Sequence, residues 1–546
     1  MRLNIRLLAA VKQNFFITTP IFYVNAAPHI GHLYTALVAD AVQRFEKLVH
    51  PDINVVFTTG TDEHGTKIQQ AAAKANLPLP EYCTKISQEY KDLFKEYNIG
   101  YTDFVRTTEE RHKTAVRHFW NKLKEDDYIY KASYAGWYSV NDEAFVPDTH
   151  VKDQNRDGEM VKVSLESGHT VEWTEETNYM FRLSAFKTHL QRWLKSDGLI
   201  TPHKFQKQLQ DMVAGDAYLP DISVSRPSSR VHWAIRVPDD DTQSIYVWLD
   251  ALVNYLTAGG YPRPPAPLHP PDLHVLGKDI LKFHGIYWPA FLMAIKWHPP
   301  RAILCHGHWT VDGAKMSKSL HNVVSPRDSE VGSEGLRYFL LSEHTLHSDA
   351  NYSTTKLINT VNASLADTLG NLVSRCSGPA LNPRGELPPP PPAPPAPARP
   401  LIDAVTALPE KCHHFYSNYQ FYKAVDSVIE VLHMANLYFE EQKPWELRKR
   451  IECQKDLDDI LHITMETLRV CGIILQPIIP ELSAKLLDKL SVPKDERTWE
   501  HCEKMSWLET GAIREMRHIQ SGKFVLFQRV YTDKDKKTAK EKKANV

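Results

Sequence analysis

The sequence has no C-x-x-C pair; its seven cysteines, from Cys83 to Cys502, are odd in number and far apart. That excludes a dense disulfide framework, leaves no zinc-knuckle spacing and fits a reducing compartment. No apolar run approaches the ~18–20 residues that span a bilayer, so neither a membrane helix nor a membrane partner is expected. An excess of one charge is also missing. The 65 Lys and Arg face 66 Asp and Glu, so nucleic-acid binding has to come from local patches rather than a global basic field. The start of the chain carries no acid: residues 1–13 hold Arg2, Arg6 and Lys12, and the first carboxylate is Asp40. Leu3, Ile5, Leu7 and Leu8 leave an arginine face there. This is compatible with a mitochondrial transit peptide, or with a basic lead-in to the first strand, but not with a typical secretory signal.

What is present is an ordinary globular composition, 42% hydrophobic and 24% charged, over 546 residues. Disorder and collagen are excluded, and the length allows two to four domains at ~100–200 residues each. Residues 14–20 read as a buried strand stopped by Pro20, Leu33–Val49 as a helix, Asn54–Thr59 as a second strand, and Thr66 onward as helix. That order predicts a βαβ unit in a parallel, doubly wound α/β sheet. Residues 120–240, rich in Tyr and Trp, read as an insertion. Leu273–Leu276 and Arg301–Cys305 read as returning strands. From Leu357 the period turns helical (Leu357, Val361, Leu365, Leu369, Leu372) and restarts near Leu401 as far as about residue 490. Between them, 379–400 holds a run of prolines expected to be an extended, exposed spacer or loop. The basic tail Lys534–Lys543 is expected to be disordered.

Two short stretches carry chemistry. Pro28-His29-Ile30-Gly31-His32 follows the first strand, where a parallel sheet presents ligands at its carboxyl edge. Its imidazoles can donate to phosphate oxygens, Gly31 permits close approach of a nucleotide, and the following helix offers its positive end. Lys315-Met316-Ser317-Lys318-Ser319 places two lysines on a loop that can close over a triphosphate as charge builds on departing pyrophosphate.

Together these resemble the two signatures of class I aminoacyl-tRNA synthetases. Their surroundings resemble the methionyl branch of that family, in its mitochondrial form, from about Phe15 to about residue 510. The most specific stretches are Thr18–His32, Gly60–Gly65, Tyr246–Tyr255, Gly277–His284 and Asp312–Ser319. The resemblance implies a class I α/β catalytic domain in two halves (14–119 and 241–350), a connective insertion (120–240) and an all-α anticodon-binding bundle (351–510). A C-terminal extension (511–546) follows. It implies that His29, His32, Lys315 and Lys318 are catalytic, with Gly31 and Ser317 also at ATP. Asp62 resembles the carboxylate that holds the substrate ammonium. Ile21, Tyr23, Trp248, Tyr255, Ile280 and His284 resemble the wall around a methionine side chain, with Lys278 and Asp279 as polar supports. By periodicity alone, Trp248 and Tyr255 are ordinary core on one helix face. Leu252 stands where many relatives carry proline.

Asn371 and Arg375, four apart on one helix face, and Trp445 after Pro444 match the family's anticodon-reading residues. Many relatives carry zinc knuckles in the insertion. Here Ser139 and Asp142 stand where cysteines would sit, and Ser164–His169 has no cysteine, so no metal is predicted. The expected substrates are L-methionine, ATP with Mg2+ and tRNA(Met), in the mitochondrial matrix, with the protein a monomer. Two other readings fit the signatures. One is another class I synthetase, although the stretch between His32 and Lys315 is short for the editing insertion of the branched-chain enzymes, and the cysteine enzyme's pocket zinc has no ligands here. The other is a non-catalytic tRNA-binding protein, which would have no need of the signature residues.

Overall fold

The computed structural model describes residues 14–139, 144–146, 148–156, 159–165, 167–215, 219–263, 268–316, 322–508, 517–520 and 522–531. Residues 1–13, Asp142, Ser317, Lys318 and the basic tail therefore lie outside the described residues.

The central sheet has seven strands, and every pairing in it is parallel. Asn14–Thr18 lies at its middle. On one side of it come Asn54–Asp62 and Asp103–Arg106, with the short strand Phe22–Tyr23 extending the row beside Thr61 and Asp62. On the other side come Leu273–Gly277, Ile303–His306 and Ile200–Thr201. The chain thus runs outward in both directions from the boundary between Asn14–Thr18 and Leu273–Gly277. Such a boundary opens a crevice at the carboxyl ends of the strands. The strand centres Phe15–Ile17, Val55–Phe57 and Val275–Leu276 are apolar because both faces of the sheet are covered.

The helix Ile30–Val49 starts three residues earlier than its pattern indicates, because His29 caps it through its side chain. It packs against the sheet through Leu33, Leu37, Val38 and Val42, all buried.

The expected domain edges at 119/120, 240/241 and 350/351 fall inside the helix Glu110–Glu125, the strand Asp240–Ile245 and the strand Ala350–Tyr352. The stretch taken as insertion even supplies the edge strand Ile200–Thr201 to the central sheet. What projects from it is a four-stranded antiparallel sheet built on the pair Ile129–Ser139 and Glu172–Phe181, plus the hairpin Val151–Arg156/Glu159–Ser164.

The helical part packs Arg399–Ser417, Phe421–Gln442 and Gln454–Ile474 over one continuous core. The proline-rich stretch is not wholly exposed, contrary to expectation. Glu386–Leu387 pairs with Arg517–His518, and Pro388 is buried with its carbonyl 2.7 Å from His462 Nδ1. Proline lacks an N–H but keeps its acceptor, and a buried imidazole supplies the donor.

A charged junction ties the helical part to the sheet. Arg337 and Asp40 are both fully buried and 2.8 Å apart. Arg337 also donates to Tyr97 O and Ile478 O, and Glu334 accepts the backbone N–H groups of Glu481 and Leu482 at the start of a helix. Arg337, Asp40 and Glu334 each have a partner on another element, which is what makes a buried charge tolerable. Among the described residues, no helix is long and apolar enough to cross a membrane.

Candidate active site

His29 and His32 stand at the first turn of Ile30–Val49, stacked with ring centroids 3.7 Å apart. His29 Nδ1 accepts the Gly31 N–H at 3.0 Å, and His32 Nδ1 accepts the His29 N–H at 3.2 Å. Burial, followed by the Lys315 charge, pushes His29 down to about 4. Burial, followed by His29, holds His32 well below its ordinary value. Both rings are therefore neutral near pH 7, and with Nδ1 acting as acceptor each keeps its proton on Nε2.

One expectation changes, and Gly31 gains a second reason. The helix end has no idle amide, since Ile30 N–H goes to Val324 O, Gly31 N–H to His29 Nδ1, and the His32 and Leu33 N–H groups to His29 O. The donors left for a phosphate are the imidazole Nε2–H groups. Gly31 also serves a nearer neighbour, because a Cβ there would sit 2.9 Å from His29 Cε1. It makes room for the capping imidazole.

Across the crevice, Lys315 ends a short strand, Ala314–Lys315, that pairs with Trp309–Val311. Its ammonium lies 3.1 Å from Asp279 Oδ2, while His308 Nε2 lies 3.1 Å from Asp279 Oδ1. Desolvation raises the Asp279 carboxyl, but the His308 contact and the Lys315 charge outweigh it and hold it well below the usual range. Lys278 is paired with Asp349 at 2.7 Å. Both lysines are thus held by carboxylates at the mouth of the crevice.

The residues expected to form the amino-acid wall come from four places in the chain. Tyr23 and Asp62 are register partners across adjacent strands. Ile21 lies over Gly60, where a Cβ would be 2.9 Å from Ile21 Cγ2 and 1.9 Å from Val105 O. The helix carrying Trp248 and Tyr255 is broken into Val247–Leu252 and Asn254–Ala258, yet both residues face one segment, Asp279–Tyr287. Trp248 stacks on Phe283 at 3.7 Å and 13°, and Tyr255 Oη lies 2.7 Å from His284 Nε2. Phe283 and His284 are neighbours, and the π-helical turn Phe283–Tyr287 is wider than an α-turn. His284 Nδ1 lies 2.9 Å from Ile280 O, a bond it can only donate, so the Tyr255 O–H donates to Nε2. Burial pushes His284 down to about 4. The wall is therefore neutral and aromatic, suited to a thioether.

Sequence reasoning missed the residues that hold this wall. Glu63 accepts from Arg106 twice, Thr61 and Thr108, between 2.6 and 3.0 Å. Asp250 is fully buried between His64 and His112. Apart from Thr61, two residues from Glu63, their partners lie 43 to 186 positions away, which no local pattern reveals.

Buried imidazoles make stability pH-dependent. Burial pushes His284 and His306 to about 4 and His344 to about 3, from an ordinary 6.5. Between those values the unfolded chain binds more protons than the folded one, so stability is present above about pH 6.5 and falls as the pH drops toward 4. At ~1.36 kcal/mol per pKa unit, each costs on the order of 2 kcal/mol by pH 5. The melting temperature of the ligand-free protein should drop by several degrees from pH 7.5 to pH 5. A flat profile would show that these rings are protonated in the folded state.

In the helical part, Asn371 and Arg375 lie on Asn371–Ser377, with Asn371 exposed. The Arg375 guanidinium lies 5.4 Å from the Trp445 ring and 2.6 Å from Glu440. Trp445 is half-buried, one side packed on the core. In the projecting sheet, Ser139 and Ser164 are buried, and Ser164 Oγ accepts the Ser167 N–H. Among the described residues no three His, Cys, Asp or Glu side chains are placed to hold a metal, and hydroxyls do not fit a structural zinc.

Comparison with known proteins places these features. A family model described as tRNA synthetases class I (M) matches residues 15–377, and one for the anticodon binding domain of methionyl tRNA ligase matches 393–544. The mitochondrial methionine–tRNA ligase of Homo sapiens is 47% identical over 504 residues, covering 88% of this chain and 85% of that one. The probable mitochondrial enzyme of Dictyostelium discoideum is 43% identical, covering 89% of this chain and 88% of that one. The crystal structure of Mycobacterium tuberculosis methionyl-tRNA synthetase bound by methionyl-adenylate superposes with a TM-score of 0.86 at 34% identity, over 94% of this chain and 100% of that one. This chain belongs to the methionyl branch of the class I aminoacyl-tRNA synthetases.

Proposed function

We propose that this chain activates L-methionine with ATP and transfers it to tRNA(Met), serving translation in the mitochondrial matrix. The observation that carries the reading is the convergence of two neutral imidazoles, Lys315 and Asp279, and an aromatic wall beside Asp62 at one sheet crevice. The structural relative that holds methionyl-adenylate supports it.

ATP arrives as its magnesium complex, and the His29 and His32 Nε2–H groups meet its phosphates. Asp62 holds the methionine ammonium while the carboxylate attacks the α-phosphorus. Lys315 leaves Asp279 for the triphosphate, and with Lys318 it neutralises charge on departing pyrophosphate. The 3′-terminal ribose hydroxyl of the tRNA then takes the methionyl group, releasing AMP. No covalent enzyme intermediate is needed, because positioning and charge stabilisation supply the catalysis. Asn371, Arg375 and Trp445 read the anticodon, and the protein works as a monomer without zinc.

Charging of purified tRNA(Met), with no charging of tRNA(Ile) or tRNA(Cys), tests the assignment, and charging of another acceptor would overturn it. Elemental analysis tests the metal reading, with less than ~0.1 zinc per chain expected and melting unchanged by chelator. About one zinc per chain would reveal a site that the serines do not explain.

A further inference from the structure

We infer that Asp250 is a positioning residue that fixes the spacing between the two ends of the methionine pocket. The inference rests on reading Asp62, Trp248 and Tyr255 as that pocket.

The Asp250 side chain is fully buried. Its Oδ2 lies 2.7 Å from His64 Nδ1 and its Oδ1 lies 2.8 Å from His112 Nε2. His112 continues the chain of bonds, with Nδ1 2.9 Å from Thr257 Oγ1. Burial alone would raise this carboxyl, yet the two imidazoles outweigh it and hold it near 2, so it is a carboxylate. Three elements meet there: the loop after Asn54–Asp62, the helical stretch Val247–Ala258 and the helix Glu110–Glu125.

The spacing along the chain gives the bridge its meaning. His64 is two residues after Asp62, Asp250 two after Trp248, and Thr257 two after Tyr255. His64, Asp250 and Thr257 thus each lie two positions along the backbone from a pocket residue, and His112 joins them from another helix. The other anchors of the loop act on different residues: Arg106 and Thr108 hold Glu63, and Trp233 Nε1 donates to Glu63 O. Asp250 is the link we find that runs from the ammonium-binding loop directly to the helix bearing the aromatic wall. Methionine has to reach both ends at once, so their separation decides how well it fits. A buried ion network is no better than apolar packing for stability, but it is directional.

The test is methionine-dependent ATP–pyrophosphate exchange with the full chain. Asn keeps the shape of Asp250 but presents one acceptor, so one imidazole loses its partner. Asp250→Asn should raise KM for methionine roughly 10- to 100-fold, with kcat and KM for ATP within about threefold, as for a displacement near 1 Å. His112→Leu should raise the same KM about tenfold, and His112→Gln, whose amide N–H can reach Asp250, should stay within about threefold. If Asp250→Asn shows no cooperative melt, the two His112 variants decide. Folded variants with an unchanged KM for methionine, or with kcat and both KM values moving together, would overturn the inference. Trp248→Ala separates the two levels. If it leaves KM for methionine unchanged, the pocket reading fails; if it raises KM while Asp250→Asn and His112→Leu do not, only the bridge fails.

Discussion

Lys318→Ala is expected to slow methionyl-adenylate formation by roughly 10²–10³-fold, the scale of losing one preorganised transition-state donor. Lys315 is paired with Asp279, and His29 and His32 are neutral, so little positive charge is committed to the crevice before ATP arrives. As the α-phosphorus–oxygen bond breaks, negative charge grows on pyrophosphate, and an ammonium brought in by the signature loop meets it there. That interaction strengthens toward the transition state, so its loss falls on the rate of adenylate formation. Methionine binding without ATP should hardly change, because the wall proposed for it is formed by Tyr23, Asp62, Trp248, Tyr255 and His284, none of them on the signature loop. A variant with normal exchange rates would show that the loop takes no part in the chemistry.

Trp445→Ala is expected to weaken tRNA charging by roughly 5- to 150-fold, the value of ~1–3 kcal/mol for one stacked base. Methionine–ATP exchange uses no tRNA and should stay near normal. Trp445 has one side on the core and the Arg375 guanidinium over its ring, and Asn371 stands exposed on the Arg375 helix. An indole so placed can offer a face to an unstacked base while staying rooted in the bundle. Because the ring is only half-buried, truncation should cost less than the ~3–5 kcal/mol of a fully enclosed Trp. Equal loss of charging and exchange, in a variant confirmed folded by its melting profile, would retire the anticodon role.

The parallel sheet could be read from the sequence because strands buried on both faces are largely apolar, as Phe15–Ile17 and Val275–Leu276 are at the centres of theirs. The two signatures could be read because phosphate chemistry concentrates imidazoles and ammonium groups in short stretches. The capping role of His29 could not, since it depends on a ring turning back onto Gly31 N–H and filling the space a side chain there would take. Glu63 and Asp250 were hidden for another reason. A buried carboxylate is defined by its donors, and Arg106, Thr108, His64 and His112 reach these two only after the sheet has formed. The proline-rich stretch misled through composition. The stretch is not extended throughout, since Ala396–Ala398 is a 3-10 turn and Arg399 and Pro400 begin a helix, and exposure depends on whether a partner such as His462 waits for the carbonyl. Domain edges drawn from composition likewise cut through Glu110–Glu125, a helix that serves both the sheet and the projecting part.

The central claim is that this crevice activates methionine. Amino-acid-dependent ATP–pyrophosphate exchange by the purified full chain, with methionine, isoleucine and cysteine offered separately, tests it most directly. The account predicts robust exchange with methionine, and rates with isoleucine and cysteine at least ~100-fold lower in kcat/KM, as two discriminating contacts of ~1.4 kcal/mol each would give. Equal exchange with isoleucine or cysteine, or no exchange with methionine, would contradict it.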